Sequence, residues 1–381
     1  NMGRIQEVDN LIAMNGTRQI VDNIRRMANT GKPQMDFLDT VIAEWCSSDT
    51  LEEMLEAQGY FENKGDIKDK ERMVINRAGN LEKAKHLANT KLHHPFLRRL
   101  VRQKAVYLLS NPVTVVAEDE KDKPFVDIVN KYIDKSFLRI LYILGMQAPV
   151  YRYAWLQAYY DASGNLKFKI IPPTEFIPLW GDSAHTWLDG GIRIYTMYVY
   201  GKAGEKEEIT KIEFYTREGV WYYVKDKDGI HVDDMKYEDV PEELRYEPRG
   251  NFKVHTNEVD GEGNPIVREG LWGRVPFICF KYNHEEQTVL QQVKSLIDNY
   301  DLTASTVSDD MQDVPNSIKI IKNYDGTDKS EFVHNLSIYR AAFVRDGGDM
   351  SQLETRQDIT AADSHMNRLR RDMMEAASGV D

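Results

Sequence analysis

Apolar residues recur at two different spacings along this chain. From Val289, the residues Val293, Leu296, Ile297, Tyr300, Ala304, Val307 and Met311 follow at three- and four-residue intervals. That spacing keeps side chains on one helix face, so it predicts a helix over 285–313, ended by Pro315. Ile359, Ala362, Met366, Leu369 and Met373 repeat the pattern and predict a second helix over 358–377. Phe96, Leu100, Val101, Lys104 and Leu108 predict a third over 96–109, stopped by the turn signal Ser110-Asn111-Pro112. A further helix is expected before it, within 64–94. Another should open at Pro124 and run to about Leu144, after a short strand at 113–116. Ser48-Asp49-Thr50 ahead of Leu51-Glu52-Glu53 reads as a helix N-cap with acidic residues in the first turn.

Between 150 and 282 the period shortens to two. Tyr, Trp, Val and Ile alternate with polar residues over 192–200, 209–215 and 220–224. The turns Asp161–Asn165 and Asp226–Gly229 stand between such runs, as hairpin loops do. Residues 238–269, rich in charge, Gly and Pro, are expected to form one long loop. Between the two long helices, strands at 317–323 and 337–344, a turn at Asp325-Gly326 and a helix near 330–336 predict a compact α/β insertion closed by Gly347-Gly348. The fold class is therefore α+β.

Composition changes the picture in three places. The 381 residues carry 49 Lys and Arg against 61 Asp and Glu, a net charge of −12. Nucleic-acid binding would thus need a local basic patch. Residues 64–104 supply a candidate, with 12 basic residues against 4 acidic, and Arg98, Arg99, Arg102 and Lys104 stand out. They could equally neutralise the acidic helices of residues 1–62, where 11 acidic residues face 5 basic ones. Helix 285–313 is the reverse case: seven carboxylates, among them Asp298, Asp301, Asp309 and Asp310, are opposed by Lys294 alone. Cys46 and Cys279 match no metal or redox spacing, which excludes a disulfide scaffold and fits a reducing compartment. Residues 1–10 are polar, unlike a signal peptide, and no apolar run approaches the ~20 residues a membrane span needs.

Motifs of chemistry are missing. There is no phosphate-binding GxxxxGK[ST], no GxGxxG after a strand, no HExxH and no GxSxG. The two Asp-rich turns resemble calcium loops, but the twelfth position holds Pro172 or Tyr237 where a bidentate Glu is required. His93-His94 has no ligand at metal spacing and reads as a helix-end pair before Pro95. Neither catalytic residues nor metal ligands nor cofactors are assigned, and no enzymatic activity is expected.

Several ordered segments resemble one family. Val275–Asn283 leads into Leu296-Ile297-Asp298-Asn299-Tyr300-Asp301, followed by Ile320–Gly326 and the Gly347-Gly348-Asp349 turn. Earlier, Asn76–Tyr107 with Asn111-Pro112-Val113, and Asp161–Asn165 with 168–178, fit the same order. Together they resemble the portal proteins of tailed double-stranded DNA bacteriophages, the head–tail connectors. The resemblance implies a wing made of a helical part (1–110) and a β-rich part (111–284). It implies stem helices at 285–313 and within 349–381, and a clip at 314–348. A tunnel loop and helical crown would follow, with no counterpart before Asp381.

It further implies a homo-oligomeric ring, usually a dodecamer, at the capsid vertex of the virion, made in the bacterial cytoplasm. Double-stranded DNA would pass through without sequence recognition. Terminase, a head-completion adaptor, and the major capsid and scaffold proteins would be partners, with no membrane. Asp298, Asp301, Asp309 and Asp310 would line the channel, repelling phosphate so that the duplex slides. Lys319, Lys322, Asp325, Gly326, Lys329, Phe332 and Arg340 would lie on the docking surface of the clip. The readings to be set against it are another virion adaptor or scaffold-binding protein, and a metal-dependent nucleic-acid enzyme.

Overall fold

The computed structural model describes residues 32–75, 79–85, 87–161, 164–200, 206–259, 265–313, 318–322, 349–353 and 359–379. Helices and antiparallel sheets are mixed throughout, as an α+β chain requires. Two compact units form, one from residues 1–61 with 99–291 and one from 62–98 with 292–381. This division groups 62–98 with the two long C-terminal helices rather than with its sequence neighbours.

In the first unit, α1 (Lys32–Cys46) and α2 (Asp49–Phe61) are separated at Ser48, whose hydroxyl accepts from the Leu51 N–H at 3.2 Å, the expected N-cap. α3 (Phe96–Leu109) ends where expected. Beyond it, residues 112–117 form neither helix nor strand and pair with no described strand, so the short strand expected at 113–116 is not formed. The single helix expected from Pro124 is two: α4 (Lys123–Tyr132) and α5 (Lys135–Tyr151). The break is local, because the Asp134 carboxylate accepts the Phe137 N–H at 2.8 Å and caps a new helix.

Strands β3 (Tyr153–Tyr160), β4 (Leu166–Ile171) and β12 (Phe277–Lys281) make a sheet in the order β12-β3-β4. β5 (Phe176–Trp180), β6 (Leu188–Tyr200), β7 (Lys206–Tyr215), β8 (Val220–Asp226) and β9 (Gly229–Val232) form a five-stranded meander in chain order. The predicted turns are hairpin loops: Asp161 closes on Asn165 between β3 and β4, and Gly229, at φ +113°, closes β8 on β9. The expected loop 238–269 instead holds a hairpin of β10 (Phe252–Val259) and β11 (Pro265–Gly270). Beside the hairpin, Arg249 pairs with Asp239 and Glu269, both at 2.5 Å.

One face of the meander receives Leu38 and Ile42 of α1 over Ile192, Ile212, Phe214 and Tyr223. A second cluster gathers Met54 of α2, Trp155, Phe176, Val220 and Phe277. Gly191 in β6 admits the Phe176 ring; a Cβ there would overlap the tip of that ring. Leu144 and Ala148 of α5 close over Ala154 and Leu156 of β3.

The second unit contains a short hairpin, β1 (Met73–Ile75) with β2 (Leu81–Lys83), where a helix was expected. It also contains α6 (Val289–Asp313, from residue 292), β13 (Ile318–Lys322), β14 (Asp349–Leu353) and α7 (Ile359–Ala376). β13 pairs antiparallel with β14, so the partner of the predicted strand at 317–323 is 349–353. The expected elements at 330–336 and 337–344 lie outside the described residues. On α7, Leu369, Met373 and Met374 are buried. Among the described residues, no helix is long and apolar enough to cross a membrane.

Candidate functional site

α6 opens with a reciprocal cap. The Thr288 hydroxyl accepts the Gln291 N–H at 3.2 Å, and the Gln291 side-chain oxygen accepts the Thr288 N–H at 2.9 Å. The helix then buries Val293 and Ile297, as its apolar stripe requires. After Tyr300 the stripe fails. Asp301, Ser305 and Asp309 are 4, 0 and 2% exposed, whereas Leu302 and Met311 stand 50 and 59% open. The buried side of the second half of α6 is polar.

An extended strap, residues 87–94, explains it. The Ala88 N–H donates to Asp313 Oδ1 at 3.1 Å, the Thr90 N–H to Asp309 Oδ1 at 2.6 Å and the Leu92 N–H to Ser305 Oγ at 3.0 Å. His94 Nδ1 and Asp301 Oδ1 lie 2.6 Å apart. Every second strap residue thus meets every fourth helix residue, with the two segments running in opposite directions. The periods match physically: two extended residues advance about 6.6 Å and four helical residues about 6 Å. Four acceptors one turn apart therefore act as the partner strand that the strap lacks.

Cations lock the strap. Lys70 Nζ lies 2.5 Å from Asp309 Oδ2 and donates to the Thr90 carbonyl at 3.2 Å. Arg72 pairs with Asp313 and donates to the Ala88 carbonyl at 3.0 Å. Lys294 bridges Asp66 at 2.5 Å and Asp298 at 3.0 Å. The basic residues Lys70 and Arg72 thus neutralise α6, not the acidic helices of residues 1–62. The His94 ring is set edge-on to Tyr300 and stacked with Phe96, centroids 4.8 and 5.8 Å away.

Two of the carboxylates titrate in opposite directions. Burial raises Asp309, but the bonds from Lys70 and Thr90 outweigh it and hold its pKa below the usual range. Burial dominates at Asp301 and raises its pKa against the opposing pull of His94.

The predicted site residues separate. Asp301 and Asp309 are committed to the strap within the chain, Asp298 is bonded to Lys294, and Asp310 is half-buried. Arg99 and Arg102 are exposed on α3, Arg98 is half-buried, and the Lys104 ammonium lies 5.6 Å from the Tyr282 ring centroid. Lys319 and Lys322 fall on β13. Asp325, Gly326, Lys329, Phe332 and Arg340 lie outside the described residues. The strap was missed from sequence, although the four-residue recurrence of Asp301, Ser305, Asp309 and Asp313 signals it. Among the described residues, no three His, Cys, Asp or Glu side chains stand close enough to hold a metal. Chemically the seam binds backbone and cations; it arranges no nucleophile.

Residues 45–381 match the family model described as phage portal protein, SPP1 Gp6-like. The chain belongs to that portal family. A portal protein of Bacillus phage SPP1 is 27% identical over 348 residues, covering 90% of this chain. A portal protein of Clostridium phage phiCD119 is 26% identical over 318 residues, covering 80%. The chain spans 63% of the length of each of these two portal proteins. A solved structure, the neck of a native GTA particle computed with C12 symmetry, is similar at 11% identity and a TM-score of 0.33. It is matched over 73% of this chain and 64% of that one.

Proposed function

We propose that this chain is the repeating subunit of a portal ring at the capsid vertex of the virion, through which double-stranded DNA enters and leaves. The family match over residues 45–381 carries this reading. In it, residues up to 284 form the wing, α6 and α7 are the stem helices, and residues 314–348 are the clip that docks terminase and the head-completion adaptor.

The strapped α6 suits a stem. A helix on a channel wall must hold its shape while a duplex slides past. Hydrogen bonds from four strap residues and two cations brace α6 along its last three turns. Repulsion of phosphate in the bore then falls mainly to the half-buried Asp310, because Asp301 and Asp309 serve the strap and Asp298 is paired with Lys294. Sedimentation velocity of the purified chain across concentration and salt tests the reading. A discrete species of many subunits is expected, and a monomer under every condition refutes it.

A further inference from the structure

In the sheet β12-β3-β4, β12 is an outer strand. The Ala158 N–H donates to the Pro276 carbonyl and the Tyr282 N–H to the Arg152 carbonyl, which fixes the phase of the ladder. Residues 276, 278, 280 and 282 turn their backbone towards β3. Phe277, Cys279 and Lys281 therefore turn N–H and C=O outward, and among the described residues nothing bonds to them. They open onto a groove of about 880 Å³ lined also by Trp180, Trp187, Arg217 and Arg274. An open edge of this kind is a template for another strand.

The same unit carries a segment that suits it. Residues 112–117, Pro-Val-Thr-Val-Val-Ala, form no helix and join no sheet among the described residues. Val113, Val115 and Val116 are 41, 36 and 80% exposed. The Asn130 side chain grips Val115 from one side, accepting its N–H at 3.4 Å and donating to its carbonyl at 3.0 Å. Backbone groups alternate along a strand, so with Val115 held from one side, Thr114 and Val116 would offer theirs on the other once the segment is drawn out as a strand. The β-branched run has strand composition, and the exposed Glu118, Asp119 and Glu120 follow it. The groove offers the opposite sign. Among the described residues, neither Arg274 in the groove nor Glu118 makes an ion pair.

We propose that segment 112–119 of one copy adds as a strand to the outer edge of β12 in a second copy, its acidic end meeting Arg274. The contact joins two different surfaces, the kind of interface that a ring repeats by rotation. It rests on the ring reading above and names the surfaces that make it.

The test has two arms. First, the whole chain is titrated with a synthetic peptide of sequence 111–120, NPVTVVAEDE, and tryptophan emission reports the groove through Trp180 and Trp187. Saturable binding is expected. It should be at least tenfold weaker for Arg274→Glu and for a peptide N-methylated at the positions of Thr114 and Val116. Absence of binding, or equal binding by the methylated peptide, overturns strand addition. Second, Val116→Pro, at an exposed site without backbone bonds among the described residues, is compared with the wild type by sedimentation. Loss of the large species supports the proposal. An unchanged ring overturns it and leaves the ring reading standing. A wild-type chain that stays monomeric overturns the ring reading and, with it, a contact between copies.

Discussion

Asp309→Ala removes the acceptor of the Thr90 N–H and the partner of Lys70 in one step. The Asp309 side chain is 3% and that of Lys70 14% exposed, so the pair is buried. Breaking a buried pair by deleting one member costs about 3–5 kcal/mol. Lys70 would retain the Thr90 carbonyl at 3.2 Å, which places the loss near the lower bound. About 3 kcal/mol corresponds to roughly a hundredfold rise in local opening. Amide hydrogen exchange over residues 88–94 reads that opening directly. Asp309→Asn keeps an acceptor for Thr90 and should fall between the wild type and the alanine variant. Asp310→Ala, one residue along on a half-buried side, should stay within about 0.5 kcal/mol. A change at the Thr90 amide of less than threefold in Asp309→Ala, or an equal change in Asp310→Ala, would refute the strap account.

The same carboxylate sets a pH dependence. Its folded pKa lies below the unfolded value of about 3.9, so its stabilisation is present above that pH and is lost as pH falls through the folded pKa. Strap protection, corrected for intrinsic exchange, should hold from neutrality to about pH 5 and drop below about pH 4; Asp309→Asn should flatten the curve. Asp301 has the opposite sign, its pKa raised by burial, so Asp301→Asn should cost less in a thermal melt than Asp309→Asn at pH 7. N-ethylmaleimide at pH 7 should add once per chain by mass spectrometry. It should modify exposed Cys46 and spare Cys279, whose thiol burial pushes up to about 12. Asp310→Lys, in assembled rings, should increase DNA retention and steepen its salt dependence, measured by filter binding.

Elements whose cause is local were legible in the sequence. The hairpin turns at 161–165 and 226–229, the Ser48 cap and the long period of α6 and α7 each depend on residues within a few positions. What was hidden depends on distant partners. The strap is extended because α6, more than 200 positions away, supplies acceptors for its N–H groups. Charge counting showed that 64–104 is basic and 285–313 acidic, but it could not show that Lys70 and Arg72 belong to Asp309 and Asp313. The apolar stripe also continued, in sequence, through Ala304, Val307 and Met311. Burial there follows instead the polar positions, since the strap presents backbone rather than hydrocarbon. The break between α4 and α5 was legible in principle at Asp134, a capping residue three positions ahead of the apolar pair Phe137 and Leu138.

Electron microscopy of the assembled chain, viewed down its symmetry axis, tests the central claim most directly. The account predicts closed rings of one subunit number, with an open bore and α6 on its wall. Open filaments, two-fold dimers, or rings with α6 away from the bore would contradict it.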